Sequence, residues 1–432
     1  MNLRFISVLT VCIILTCTLV TGAADSQGWK SYPHSFESFT LPEDEGKHSS
    51  NPVGWWITKE WWYISGHLQD DDGDTYGYMV CFFSHGNFVF LLTEEMNNTF
   101  HHYSDRFWPW QTSISESKLD LSFGKNYFYQ VDGQPFTYKL YTTSPTKMTL
   151  DLTLDATKPP IAVGGYGLHP IGPIGYTYYY AEPRLNTTGT ITIDGVPRWV
   201  NGTSWIDRQW GFWSPQSYDG WEWFAVSLDD QTEIEISKMF DPNTGRPVNP
   251  MVDISYSNGT HESFDDFQID YQGYWTSPDT GNRYSSGWNI SIPSRSIRLN
   301  ITPSVINQEV KISSKIIWEG SCKVTGTFGN KPVTGKAYTE LVHYYEKGDL
   351  ELDLQMQRLT FSNPSPIDGE QILIEVIIVN GGDGNATNVE IEVYDGDPNL
   401  GGPQIGRRKI KSLTEGSNKA VSFNWTAKAG HH

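Results

Sequence analysis

The sequence predicts an all-β protein, and three observations carry that reading. Segments with helical periodicity are nearly absent. Short runs of alternating apolar and polar residues recur instead, separated by turn pairs such as Asp72-Gly73, Asp132-Gly133, Asp194-Gly195 and Asn258-Gly259. Such pairs punctuate antiparallel hairpins that close into barrels or sandwiches. Aromatic residues make up 14% of the 432-residue chain and concentrate before residue 300. Rings on that scale suit a large β core or a space lined for an apolar ligand.

The chain opens with a targeting pattern. Met1 to Arg4 supplies a positive n-region, Phe5 to Val20 an apolar core, and Thr21-Gly22-Ala23 a small-residue cleavage context. The apolar core is short and a polar stretch follows at once, so residues 1–24 read as a secretory signal peptide and not as a membrane span. The expected destination is secretion or the cell surface. A formal net charge of -19 argues against nucleic acid as a partner, because phosphates need a basic face. Cys81 and Cys322 are the cysteines beyond the signal. They either pair in an oxidising compartment or stand as two buried free thiols.

Composition then divides the remainder. Residues 25–347 form the aromatic-rich block. Around Asn363-Pro364-Ser365-Pro366 the character changes to Val/Ile alternation, as in Ile372-Leu373-Ile374-Glu375-Val376-Ile377-Ile378-Val379. That shift marks a second domain over residues 358–432.

One stretch organises the chemistry of the first block. Gly202 to Gly211 reads Gly-Thr-Ser-Trp-Ile-Asp-Arg-Gln-Trp-Gly, which sets Asp207 between the indoles of Trp205 and Trp210. Side chains alternate along a strand, so Trp205, Asp207 and Gln209 share one face while Ile206, Arg208 and Trp210 share the other. A carboxyl beside an indole in a β interior has its pKa raised by desolvation. That suits a proton donor to a carbon skeleton with no polar handle; the plainer alternative is an acceptor of backbone hydrogen bonds. Glu60-Trp61-Trp62-Tyr63, Tyr178-Tyr179-Tyr180-Ala181-Glu182 and Gly220-Trp221-Glu222-Trp223-Phe224 repeat the pairing of carboxylate and ring. Each alone is core packing around a satisfied polar group. Four in one domain point to a site.

Taken in order, these motifs resemble the AttH/CrtC family, which includes carotenoid 1,2-hydratase (hydroxyneurosporene synthase). The resemblance runs from Glu60-Trp61-Trp62-Tyr63 with Gly66-His67-Leu68, through Tyr76-Gly77-Tyr78, Tyr178-Tyr179-Tyr180, Gly202 to Gly211 and Gly220-Trp221-Glu222-Trp223-Phe224. It closes on Trp318-Glu319-Gly320 and Gly335-Lys336-Ala337-Tyr338-Thr339-Glu340-Leu341. It covers roughly residues 50 to 345 and implies two lipocalin-like β-barrel halves around an apolar cavity. The implied ligands are isoprenoid, polyene or polycyclic hydrocarbons. The tail, with Val379-Asn380-Gly381-Gly382, Val393-Tyr394-Asp395-Gly396 and Val421-Ser422-Phe423-Asn424-Trp425, resembles a CARDB module. Such modules usually carry one or two more strands than the run to His432 supplies. The expectation is therefore an immunoglobulin-like β-sandwich that looks incomplete, with an unpaired edge at Lys419 to Thr426.

The resemblance also implies acid catalysis, in which a protonated carboxyl adds H⁺ to an alkene and water captures the cation. Asp207 carries over as the acid and Trp205 as its cation-facing neighbour. Ring faces shelter a cation by about 0.5–2 kcal/mol each. Glu60, Trp62, Tyr179, Gln209, Trp210, Trp221 and Trp223 complete the expected ligand-binding set. In one departure, relatives often show His-Glu between the Asp and the Trp, where this chain has Arg208-Gln209. Two functions fit: a hydratase-like or isomerase-like enzyme, and a non-catalytic carrier or surface binding protein. In both, the partner is a hydrophobic small molecule, and the CARDB-like tail is a spacer or contacts a cell-surface or protein partner.

No cofactor and no metal are expected. Asp70-Asp71-Asp72-Gly73-Asp74 has the wrong spacing for an EF-hand, and His101-His102 lacks a third ligand nearby. Gly164-Gly165-Tyr166-Gly167 is expected to be a flexible lid over the cavity.

Overall fold

The computed structural model describes residues 28–49, 59–172, 174–214, 217–218, 220–241, 247–312, 315–329, 331–342, 354–363, 366–380, 385–396, 402–414 and 417–428. The signal pattern and the link at 343–353 lie outside the described residues. Strands dominate, and the glycines of all four predicted turn pairs take the left-handed backbone that favours glycine. The tightest case is Asp194-Gly195, with φ of 51° and 82°. Two successive positive φ values make a type I′ hairpin, whose twist matches its strands.

That hairpin joins the two longest strands of the site-bearing wall. We label the strands that build the site β1 (Lys59–Asp70), β2 (Thr75–Phe83), β3 (Gly175–Ile193), β4 (Val196–Phe212), β5 (Gly220–Leu228), β6 (Glu233–Phe240), β7 (Pro247–Ser255), β8 (Lys315–Phe328) and β9 (Lys331–Leu341). In the first sheet β2, β1, β4 and β3 are neighbours in that order; in the second, β7, β6, β5, β9 and β8 are. Both sheets extend through further antiparallel strands, to totals of thirteen strands in the first and ten in the second among the described residues. They curl into two lipocalin-like half-barrels.

Three apolar clusters follow from this arrangement. The first fills the first barrel with Trp62, Ile64, Phe82, Phe90, Tyr138, Tyr180, Ile206 and Trp210. The second fills the other barrel around Phe224, Trp288, Ile290 and Trp318. The third lies between the barrels and draws Tyr63, Cys81, Tyr179 and Trp205 from one sheet and Trp223, Ala225, Ile317 and Tyr338 from the other. Strand alternation dictates this division. On β4, even-numbered Ile206 and Trp210 enter the first barrel, and odd-numbered Trp205 enters the layer between.

A β-bulge between Glu182 and Leu185 interrupts the pairing of β3 with β4. Ahead of it, Tyr180 enters the barrel core while Tyr179 and Ala181 enter the layer; beyond it, odd-numbered Leu185, Ile191 and Ile193 enter the core. The extra residue reverses which parity points inward.

Polar contacts weld the barrels at one end of the layer. Glu95 accepts from Ser321 Oγ (2.7 Å), Lys336 Nζ (2.6 Å) and Thr75 Oγ1 (2.9 Å), and Thr93 donates to Gln308 (2.7 Å). Burial raises the Glu95 carboxyl, but the Lys336 and Ser321 hydrogen bonds outweigh it and bring the group down to about 2. Cys81 and Cys322 stand apart as two buried free thiols.

Gly164-Gly165-Tyr166-Gly167 is a pinned turn and not a free lid. Gly164 N–H donates to both carboxylate oxygens of Asp253 (3.0 Å each), Gly167 N–H donates to Val163 O (3.0 Å), and Tyr179 N–H donates to Gly167 O (2.8 Å). Asp70 closes its hairpin by accepting from Asp72 N–H and Asp74 N–H (3.1 and 2.9 Å).

The tail forms a two-layer, immunoglobulin-like sandwich. Leu354–Phe361, Gln371–Asn380 and Asn418–Thr426 make one sheet, with Gln371–Asn380 in the middle; Ala386–Tyr394 and Gln404–Leu413 make the other. Ile374, Val376, Ile391, Ile410 and Phe423 pack between them. The run Asn363-Pro364-Ser365-Pro366 therefore falls between two paired strands of the module. Among the described residues, Asn418–Thr426 is an edge of its sheet.

Candidate active site

Asp207 sits on β4 opposite Tyr63 of β1 and Ala181 of β3, and its carboxyl enters the layer between the barrels. Tyr179 Oη donates to Asp207 Oδ2 at 2.6 Å, and Trp205 Nε1 donates to Oδ1 at 2.7 Å. From the second sheet, Trp223 Nε1 donates to Tyr179 Oη (3.1 Å) and to Glu235 Oε1 (3.3 Å). The fold brings together four residues that the sequence pattern singles out, Asp207, Trp205, Tyr179 and Trp223. Glu235 joins them unforeseen.

Electrostatics make this group an acid store. Burial pushes the Asp207 carboxyl up to about 7, against the Tyr179 and Trp205 hydrogen bonds that favour its charged form. Burial, then the charge of Asp207, raises Glu235 well above the usual carboxylate range. Two buried carboxyls facing one phenol share protons more readily than both ionise.

A second carboxyl pair lies in the same layer. Tyr63 Oη donates to Glu319 Oε1 at 2.6 Å, and Glu319 on β8 lies opposite Glu340 on β9. Burial followed by the neighbouring Glu340 raises Glu319 well above its ordinary value. Burial takes Glu340 up to about 7, against a hydrogen bond from Trp221 and the charge of Lys315. Trp221 is half-buried at the margin, with the Lys315 ammonium 4.6 Å from its ring centre. Tyr338 Oη and Glu235 Oε2 are buried without a protein partner.

Glu60, Trp62 and Trp210 go elsewhere. They line the interior of the first barrel, on the far face of the sheet from Asp207. Arg208 Nη2 donates to Glu60 Oε1 at 2.7 Å with both side chains fully buried. The guanidinium lies 4.0 Å from the Trp62 ring centre and 5.1 Å from that of Trp210. His48 stacks on Trp210 at 4.4 Å. Burial raises the Glu60 carboxyl, but the Arg208 charge and the His48 hydrogen bond outweigh it and hold the group low. This is a structural ion pair inside a core. Gln209, half-buried, sits in register between Tyr179 and Trp61. Glu182, also inside the first barrel, accepts from Tyr138 at 2.5 Å.

Glu235, Glu319, Glu340 and Tyr338 were missed as site residues. Each stands in an alternating strand run, as in Glu233-Ile234-Glu235-Ile236. A carboxylate on the apolar parity of a strand was the available signal. Which strands pack face to face was not available.

Comparison with known proteins identifies the family and the fold. Kievitone hydratase of Fusarium solani subsp. phaseoli is 22% identical over 292 residues, covering 65% of this chain and 82% of its own. Dehydratase asqC of Emericella nidulans is 21% identical over 344 residues, covering 72% of this chain and 94% of its own. The crystal structure of an AttH protein from Nitrosomonas europaea superposes with a TM-score of 0.61 at 24% identity, over 72% of this chain and 98% of that one, and so shares its fold. A CARDB family model matches residues 349–432. An AttH-like family model matches residues 32–344, and the chain belongs to the AttH-like family with a C-terminal CARDB domain.

Proposed function

We propose that this protein binds a hydrophobic, isoprenoid-like small molecule in the aromatic layer between its barrels and adds water across a C=C bond, or removes it, with Asp207 as proton donor. The observation that carries the reading is the carboxyl of Asp207. It is buried, held by Tyr179 and Trp205, and kept protonated up to about 7. A general acid works best with a pKa near the operating pH, and the surrounding ring faces suit a developing cation. Similarity to a hydratase and to a dehydratase supports the same chemistry, since the two reactions are reverses of one another.

Of the Arg208-Gln209 departure, Arg208 bears little on the reaction, because it faces the other side of the sheet; Gln209 stands on the Asp207 face, in register with Tyr179. Export through residues 1–24 is part of the proposal, supported by the n-region, apolar core and small-residue pattern. The CARDB domain would then act as a spacer or adhesive module at the cell surface. Native mass spectrometry after exposure to a lipid extract tests the binding: a retained hydrocarbon is expected. Products heavier or lighter by one water, lost in Asp207→Asn, would establish the reaction. Binding with no such product from any isoprenoid would leave a carrier.

A further inference from the structure

Hydrogen bonds and strand register close a ring through the layer between the barrels. Asp207 lies opposite Tyr63, and Tyr63 donates to Glu319 at 2.6 Å. Glu319 lies opposite Glu340, and Glu340 lies opposite Trp223. Trp223 donates to Tyr179 at 3.1 Å, and Tyr179 donates back to Asp207 at 2.6 Å. The ring has two acidic poles on different sheets. Asp207, with Glu235 beside it through Tyr179 and Trp223, is one pole; Glu319 and Glu340 are the other.

Each pole carries an unsatisfied group. Tyr338 Oη, two residues from Glu340 on the same face of β9, has no partner, and neither does Glu235 Oε2 near Asp207. Both side chains are about 1% exposed. A buried hydroxyl or carboxyl left unpaired costs its desolvation, so this pair of orphans marks where polar atoms of water or ligand belong. The other titratable groups facing Glu340 are Glu319, Tyr63, Cys81, Asp207, Tyr218 and Lys315. Only Lys315 among them is cationic.

We propose that Glu340, steadied by Glu319, is the base that takes the proton of the attacking water, on the pole opposite Asp207. This rests on the hydro-lyase reading above. In hydration the Asp207 O–H bond breaks and its proton joins one alkene carbon, using the π pair. The water oxygen bonds to the cationic neighbour, one water O–H breaks, and that proton goes to the Glu340 carboxylate. Asp207 is then a carboxylate and Glu340 an acid. Proton exchange through water on product release resets both, so the sum is alkene plus water to alcohol. Elimination runs the same steps backwards.

The assay uses kievitone and geranylgeraniol as probes, with product followed by mass spectrometry across pH in the full chain. Wild type should give a bell: activity falls at high pH as Asp207 ionises and at low pH as Glu340 takes up a proton. Glu340→Gln should lower kcat by about 10²-fold or more, leave KM nearly unchanged and lose the low-pH fall. Glu340→Asp keeps a carboxylate and should keep that fall at reduced kcat, which preserves the test if the Gln variant does not fold. Glu319→Gln, a positioning change, should shift the low-pH limb without abolishing it. A Glu340→Gln enzyme with both limbs intact, or a Glu340→Asp enzyme without the low-pH limb, would overturn this assignment while the hydro-lyase reading stands. Wild type inert on both probes would overturn the reading and the assignment together.

Discussion

Asp207 and Arg208 are consecutive residues that serve opposite faces of one strand. The Asp207 carboxyl meets Tyr179 and Trp205 in the layer between the barrels, while the Arg208 guanidinium meets Glu60 and Trp62 inside the first barrel. One is held protonated by burial; the other is a permanent cation whose partner carboxylate is held ionised. Their substitutions should therefore fail in different ways.

Asp207→Asn keeps the shape and the Tyr179 contact but removes the transferable proton. Folding should be unchanged by circular dichroism, and any hydration activity should fall by roughly 10²–10⁴-fold. An unfolded variant would instead make Asp207 a structural acceptor.

Arg208→Ala leaves the Glu60 charge buried without its guanidinium. Stability should drop by about 3–5 kcal/mol in denaturant unfolding, with activity per folded molecule retained. Arg208→Lys should recover only part of the loss, because an ammonium does not reproduce a planar group lying between the Trp62 and Trp210 rings.

Stability should be greatest in mildly acidic solution. Burial raises Asp207, Glu340 and Glu45 to about 7 and Glu182 to about 8. From roughly pH 4 upward the unfolded chain loses these protons, while the folded chain gives them up only as pH passes about 7, or about 8 for Glu182, so stability falls as pH rises through that window. Glu95 runs the other way: its carboxyl is lowered to about 2, so its contribution is present above pH 4.5 and lost as pH falls toward 2. Calorimetry should show a higher Tm at pH 5 than at pH 8. A Tm rising from pH 5 to pH 8 would contradict the assigned protonation states.

The weld between the barrels can be removed by Lys336→Met, which takes one charged donor from buried Glu95. The expected cost is about 1.5–3 kcal/mol, and the acid-side loss of stability should begin at a higher pH. Urea unfolding at several pH values measures both.

The two domains should separate. A chain truncated after Lys347 should remain folded and keep ligand binding, and the full chain should show two thermal transitions. Insolubility of the truncated protein would mean that the sandwich covers part of the barrels.

Much of the site was legible from local pattern. Trp205 and Asp207 share a face because strand period is two, and a carboxyl among indoles in a β run announces its own desolvation. The same period could not tell whether Glu60 faces Asp207, since that depends on the register of β1 against β4. Glu60 in fact pairs with Trp210, and Asp207 pairs with Tyr63. Glu235, Glu319 and Glu340 lie on the second sheet, and their meeting with Asp207 depends on how two curled sheets pack. The Gly164 turn misled for a related reason. Glycine there permits positive φ, but the carboxylate that fixes it, Asp253, comes from β7, 89 residues away.

The bulge between Glu182 and Leu185 acts as a phase change in the chain. Upstream of it, odd numbers serve the site and even numbers the barrel core; downstream the assignment is exchanged. Deleting one residue there would put the whole strand in a single phase. Either Leu185, Ile191 and Ile193 would turn out of the core or Tyr179 would turn away from Asp207. Length variation at this point is thus tolerable only in pairs of residues, and the reading frame of inside and outside is stored in one irregularity and not in any side chain.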